Sequence, residues 1–274
     1  MDYVEIKDLV VFAHHGVFQQ EKELGQKFVV TARLYLDMEN AVRSDEVQRS
    51  VHYGEAALEI TKFLQDESFN LIETAAGRLA EHLLLTYSLI RKVQLRLAKP
   101  WAPVGLPLSE VAVELCRSWQ PAIVALGSNI GDRKAYITAS LKAMDENPAI
   151  RRLATSSLTE TEPYGDINQE DFLNGAVYIE TIYSPHSLLE FLHEVEDDSG
   201  RVRTRHWGPR TLDLDLIYYS DLILNSEKLT LPHPEMQKRA FVLEPVCEIA
   251  PNYVDPRYGV PVCELLARLG ERSK

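Results

Sequence analysis

The chain has only three cysteines, Cys116, Cys247 and Cys263, and no C-x-x-C pair. Thiols so few and so spaced exclude a disulfide framework and a zinc finger, and they fit a reduced, cytoplasmic protein. No apolar run approaches the ~20 residues of a membrane span. The first residues include Asp2, Glu5, Lys7 and Asp8, which is not the pattern of a secretory signal. Positive charge is also scarce. A net charge of -12 argues against general nucleic-acid binding, which needs an extended basic surface. Neither G-x-x-x-x-G-K-[ST] nor G-x-G-x-x-G occurs, so neither standard nucleotide loop is available. Repeats and low-complexity segments are absent. What is present, 45% hydrophobic and 26% charged over 274 residues, is globular and suits one large domain or two ordinary ones.

The most informative stretch is Arg210-Thr211-Leu212-Asp213-Leu214-Asp215-Leu216. Its period of two is that of a strand with one apolar and one polar face. Asp213 and Asp215 then project side by side, and Leu212, Leu214 and Leu216 face the core. Two adjacent carboxylates repel unless a positive charge sits between them, and Mg²⁺ is a natural guest. Arg201, Arg203, Arg205 and Arg210 lie at or just upstream of the stretch. Arginine suits phosphate because its planar fork donates two hydrogen bonds at once. Carboxylates for Mg²⁺ beside arginines for phosphate are the tools of nucleotide phosphoryl transfer. An edge strand with solvated acids and a solvated basic loop is the competing reading.

Pattern divides the chain. Residues 3–12 and 26–38 read as strands, 54–66 and 71–87 as helices, and 91–98 and 110–117 as strands, an order β-β-α-α-β-β. Asn70 reads as the N-cap of the second helix, with Glu73 completing a capping box. Pro121 follows, and a new strand begins at Ala122. From there strands alternate with helices near 134–146 and 185–197. The expected domains are therefore 1–119 and 120–274, joined by a very short linker.

Several segments carry family resemblances. Gly208-Pro209-Arg210-Thr211-Leu212-Asp213-Leu214-Asp215 resembles the signature of 6-hydroxymethyl-7,8-dihydropterin pyrophosphokinase. Ala125–Arg133, Thr161-Glu162-Pro163-Tyr164-Gly165, Phe172-Leu173-Asn174 and Leu231-Pro232-His233-Pro234 with Arg239 and Phe241 resemble further parts of that family in order. Upstream, His15-Gly16-Val17 with Glu21–Gln26, Val51-His52-Tyr53-Gly54-Glu55, Asn70-Leu71-Ile72-Glu73 and Ala98-Lys99-Pro100 resemble dihydroneopterin aldolase. These resemblances imply an α+β chain: an N-terminal tunnelling fold, with a four-stranded antiparallel sheet and two helices, and a C-terminal ferredoxin-like domain. They also imply a homo-oligomer built through the first domain, with sites between neighbouring subunits.

The implied chemistry is consecutive, because the aldolase's product is the kinase's substrate. In the first domain, retro-aldol cleavage of 7,8-dihydroneopterin gives 6-hydroxymethyl-7,8-dihydropterin and glycolaldehyde. The pterin ring can take up the electrons, so no cofactor is expected there. Lys99 would be the general acid–base group. Glu73 would hold the amino-pyrimidine edge, with Val51, His52 and Ile72 alongside it. Glu21 and a neighbour's Tyr53 would hold the trihydroxypropyl chain. In the second domain, the hydroxymethyl oxygen attacks the β-phosphorus of ATP and AMP leaves. Asp213 and Asp215 would hold Mg²⁺, and Arg201 and Arg210 would serve catalysis and ATP binding together. Glu196, Arg203, Trp207, Thr230, His233 and Arg239 complete the expected ATP site. Thr161, Glu162, Tyr164, Phe172, Asn174 and Phe241 form the expected pterin site. Two alternatives stay open for the first domain: mainly epimerising or oxidising the same substrate, or serving only as an oligomerisation scaffold.

Overall fold

The computed structural model describes residues 1–162, 169–200 and 210–272. It divides into two compact units, Met1–Trp119 and Gln120–Lys274.

The first unit is built from β1 (Asp2–Ala13), α1 (Gln19–Leu24), β2 (Gln26–Leu36), α2 (Glu39–Ser44), α3 (Tyr53–Asp66), α4 (Ile72–Thr86), β3 (Lys92–Lys99) and β4 (Val111–Ser118). Its four strands form one antiparallel sheet in the order β1-β2-β3-β4. Strand alternation makes the sheet two-faced. Phe28, Val30, Ala32, Leu34 and Leu36 of β2 are buried, as are Val93, Leu95 and Leu97 of β3. Helix α3 packs on β1, and α4 packs on β3 and β4. The apolar faces of these helices, Ala56, Ile60 and Leu64 on α3 and Leu79, Leu83 and Leu84 on α4, are buried.

Three details differ from the sequence reading. Helices α1 and α2, six residues each, interrupt what the pattern shows as loop. Their length leaves too few turns for a periodic signal. Asn70 is not the cap of α4. Leu71 takes that position without a side-chain hydrogen bond, and Asn70 Oδ1 instead accepts from Lys22 Nζ at 2.6 Å. A tertiary contact has taken the side chain that local rules assign to the helix. Pro121 does not precede the next strand but sits at its second residue, near a strand start, where a missing donor is tolerated.

The second unit runs β5 (Gln120–Ser128), α5 (Arg133–Glu146), β6 (Ile150–Thr155), β7 (Thr159–Thr161), β8 (Phe172–Thr181), α6 (Pro185–Asp198) and β9 (Asp213–Tyr219), followed by α7 (Ala240–Ile249) and α8 (Val262–Arg272). The sheet order is β6-β8-β5-β9, with β7 also on β8, and every pairing is antiparallel. A β-α-β-β-α-β chain with this order is a ferredoxin-like sheet. One face packs under α5 and α6 through Ala122, Val124, Leu126, Leu214 and Leu216. The other packs under α7 and α8 through Ile123, Ala176, Ile217 and Tyr218. No helix among the described residues is long and apolar enough to cross a membrane.

Candidate active sites

Helices α7 and α8 cover only part of their face of the second sheet. Beyond that cover, the strand residues on this face change character. Phe172 and Asn174 on β8, Ala125 and Gly127 on β5, and Asp213 and Asp215 on β9 line a cavity of about 340 Å³. The register sets Gly127 opposite both Asn174 and Asp213, and Ala125 opposite Asp215. A Cβ on Gly127 would come within 3.2 Å of Asn174 Oδ1. The central strand therefore supplies a low floor between two polar walls. Leu212, Leu214 and Leu216 are buried on the opposite face, as alternation requires.

The cavity gathers Thr161, Glu162, Phe172, Asn174 and Phe241 with Arg210, Asp213, Asp215, His233 and Arg239. Arg210 Nη1 donates to Asp213 Oδ2. Asn174 Nδ2 donates to Thr161 Oγ1 at 2.7 Å. Burial, helped by the Arg239 charge, lowers the pKa of His233 to about 4 against the opposing pull of Asp213 and Glu235, so the imidazole is neutral near pH 7. Glu196 and Thr230 are not in the cavity wall. Glu196, 1% exposed, accepts the Leu214 amide at 2.7 Å and so secures β9 from behind. Thr230 Oγ1 donates to Asn225 Oδ1 at 3.3 Å. Tyr164, Arg201, Arg203, Arg205 and Trp207 lie outside the described residues.

One residue that the sequence reading passed over ties this site together. Asn129, 1% exposed, accepts the Arg210 amide at 2.7 Å and donates through Nδ2 to the Glu170 carbonyl at 3.2 Å. Its own amide donates to the Arg210 carbonyl at 3.1 Å. The Ala125–Arg133 motif contained it, but a lone Asn in a turn carries no signal of such a clamp.

The oxygen-only pair Asp213 and Asp215 fits Mg²⁺. No group of three or more His, Cys, Asp and Glu converges among the described residues. Mg²⁺ commonly takes just one or two carboxylates and fills its octahedron with phosphate and water.

In the first unit, Lys99 ends β3 and Glu21 stands in the first turn of α1. Lys99 Nζ lies 2.5 Å from Glu21 Oε1, with each side chain only 9% exposed. Glu21 also accepts from the Phe18 amide at 3.1 Å and from Gln26 Nε2 at 3.1 Å. Burial pushes its carboxyl up, but the hydrogen bonds from Lys99, Phe18 and Gln26 outweigh this and hold it below the usual carboxylate range. Gly16 makes the space: a Cβ there would fall 2.3 Å from Glu21 Oε2. Buried His15 and Gln26 are further members of this cluster that the sequence reading did not single out.

Most of the remaining expected residues lie at the surface of the unit. Tyr53 is 69% exposed at the start of α3, and Glu73 is exposed in the first turn of α4. His52 caps α3 by accepting the Glu55 amide at 3.2 Å. Val51 is buried and Ile72 half-buried.

Residues 4–116 match the family model for dihydroneopterin aldolase, and residues 123–251 match that for 7,8-dihydro-6-hydroxymethylpterin-pyrophosphokinase. The chain is 45% identical over 148 residues to the 2-amino-4-hydroxy-6-hydroxymethyldihydropteridine pyrophosphokinase of Methylorubrum extorquens, a match covering 54% of this chain and 92% of that protein. It is 30% identical over 283 residues to the folic acid synthesis protein FOL1 of Dictyostelium discoideum, covering 93% of this chain but 43% of that protein. The chain thus spans less than half the length of that relative. The crystal structure of E. coli dihydroneopterin aldolase in complex with neopterin matches 43% of this chain and 100% of that one, at 30% identity and a TM-score of 0.40. The chain belongs to the 7,8-dihydro-6-hydroxymethylpterin-pyrophosphokinase family and carries a domain of the dihydroneopterin aldolase family ahead of the kinase domain.

Proposed function

We propose that the chain is a bifunctional enzyme of folate biosynthesis. One observation carries this: two family domains whose reactions are consecutive lie on one chain, each with its own polar centre assembled. The first reaction cleaves 7,8-dihydroneopterin. A side-chain hydroxyl loses its proton, the adjacent C–C bond breaks to release glycolaldehyde, and the electrons pass into the pterin ring before carbon is reprotonated. Lys99, braced by Glu21, moves these protons. Glu73 binds the amino-pyrimidine edge beside Val51, His52 and Ile72.

Tyr53 completes the site from a neighbouring subunit. Its exposure, with that of Val17, Phe18, Leu71 and Trp101, supports an interface there. So does the position of β1 and β4 at open sheet edges, which ring closure would cover.

In the second domain the hydroxymethyl oxygen attacks the β-phosphorus of ATP, and AMP leaves. Phe172 and Phe241 stack on the pterin, and Asn174 reads its polar edge. Arg201, Arg203, Arg210, His233 and Arg239 contact phosphate and offset developing charge. Asp213 and Asp215 would hold Mg²⁺, which would supply charge neutralisation to the transferred phosphate when bound. The cytoplasm is the expected compartment, in keeping with three free cysteines.

Product analysis separates the readings. The purified chain should release glycolaldehyde from dihydroneopterin, and form AMP from hydroxymethyldihydropterin with MgATP. An epimerised or oxidised pterin without glycolaldehyde would support the first alternative, and AMP alone would support the scaffold.

A further inference from the structure

His15 is fully buried beside the Lys99–Glu21 pair, and no step above uses it. Its ring sits 5.1 Å from that of Phe28 and 5.5 Å from that of Phe69, centroid to centroid. Nδ1 accepts the Phe69 amide proton at 3.2 Å, so the neutral ring carries its proton on Nε2. Among the described residues, buried Nε2 has no hydrogen-bond partner. Burial alone would be served better by an apolar ring, since an orphaned donor is destabilising. The His15 carbonyl accepts from Lys99 Nζ at 3.5 Å, and the next residue, Gly16, donates its amide to the Phe69 carbonyl at 2.9 Å. Two further bonds run in parallel: Ser68 Oγ to the His14 carbonyl at 2.6 Å, and Lys22 Nζ to Asn70 Oδ1 at 2.6 Å. The segment from His14 to Lys22, which includes Glu21, is thereby tied to residues 68–70, just ahead of the helix turn that presents Glu73.

We propose that His15 is a positioning residue of the aldolase site, latching the Lys99–Glu21 pair to the segment that presents Glu73. This rests on the aldolase reading above. The latch needs a neutral acceptor at Nδ1. An imidazolium would lose that acceptor and set a second cation beside Lys99. The charged and titratable groups around the ring are Lys99 from β3 and His14 from its own loop, with Glu21 paired to Lys99. Burial, then Lys99, then His14 lower the imidazole's pKa to about 4.

Two variants of the full chain separate latch from packing. His15→Phe keeps an aromatic ring there, somewhat larger, and removes the acceptor. His15→Asn keeps an acceptor in reach of the Phe69 amide and leaves a cavity. The proposal expects opposite rankings. His15→Phe should stay near the wild-type melting temperature yet lose about tenfold or more in kcat for glycolaldehyde release, since small misplacements of reacting groups are costly. His15→Asn should melt lower yet keep kcat within about threefold of wild type, the acceptor being retained. Activity that follows stability, with the Phe variant the more active, overturns the proposal. A wild-type chain that releases no glycolaldehyde overturns the aldolase reading instead. Hydrogen exchange at the Phe69 amide then decides the latch: faster exchange in His15→Phe than in His15→Asn supports it, and equal exchange overturns it.

Discussion

At the scale of single residues, the aldolase reading depends on how closely Glu21 is held. Four groups meet its carboxylate or its space: Lys99, Gln26, the Phe18 amide and the missing side chain of Gly16. Gly16→Ala should push the carboxylate off Lys99 and cut glycolaldehyde release by roughly 10²-fold, with AMP formation from hydroxymethyldihydropterin unchanged. Full aldolase activity in that variant would mean that the pair is not the working centre. Acid should reveal two histidines, buried His15 and half-buried His233. Burial, helped by nearby cations, lowers both imidazoles from the usual 6.5 to about 4. Above pH 6.5 neither folded nor unfolded chain binds the proton, and their contribution to stability is complete. Between 6.5 and 4 only the unfolded chain is protonated, so stability falls with pH, by up to ~1.4 kcal/mol per unit for each histidine. Glu21, held low, extends the loss below about pH 4.5. Urea midpoints measured from pH 7 to pH 4 should decline, and a flat profile from 6.5 to 5 would contradict the buried, neutral assignment. Asp213 and Asp215 were nameable from the alternation of one strand, and Glu21, Glu73 and Lys99 only through the family resemblance. His15 and Asn129 were not, because their contacts reach segments 84 and 81 residues away, and neither was Gln26, whose bond to Glu21 depends on how the chain turns between them.

At the scale of elements, period-2 alternation carried much of the fold. The Leu-Asp-Leu-Asp-Leu stretch named both the strand and its two faces, and the structure buries the leucines while turning both aspartates into the cavity. What alternation could not show is why a cavity exists there. That depends on α7 and α8 covering only one end of the sheet face, and neither helix was read from the pattern. Local rules failed where a tertiary contact competed, as at Asn70 with Lys22. Asn129 offers the clearest test at this scale, because it joins Arg210, three residues ahead of Asp213, to residues 169–170. Asn129→Ala removes three side-chain hydrogen bonds and should lower kinase kcat/KM by ~10-fold or more, with little effect on glycolaldehyde release. Steady-state kinetics on separate substrates would show it, and an unaltered kinase would reduce Asn129 to a fold contact.

At the scale of the whole molecule, the two polar centres lie in different compact units. Lesions should therefore be separable. Asp213→Asn should abolish AMP formation and spare glycolaldehyde release, and Lys99→Ala should do the reverse at a cost of ~10²-fold or more. Loss of both activities from either folded variant would count against two sites. The shared-site proposal makes a further demand. Tyr53→Phe and Lys99→Ala chains, mixed in one ring, should regain activity, because about a quarter of randomly formed interfaces would carry both intact groups. No recovery in verified mixed rings would remove Tyr53 from the neighbouring site.

The most direct test supplies the purified wild-type chain with 7,8-dihydroneopterin and MgATP alone, and follows three products with time. Glycolaldehyde should appear first, then AMP and the pterin pyrophosphate in equal amounts, with neither of the latter formed when ATP is present without the pterin. Glycolaldehyde without AMP, or no reaction with dihydroneopterin while hydroxymethyldihydropterin is readily pyrophosphorylated, would contradict the claim that one chain carries both consecutive steps.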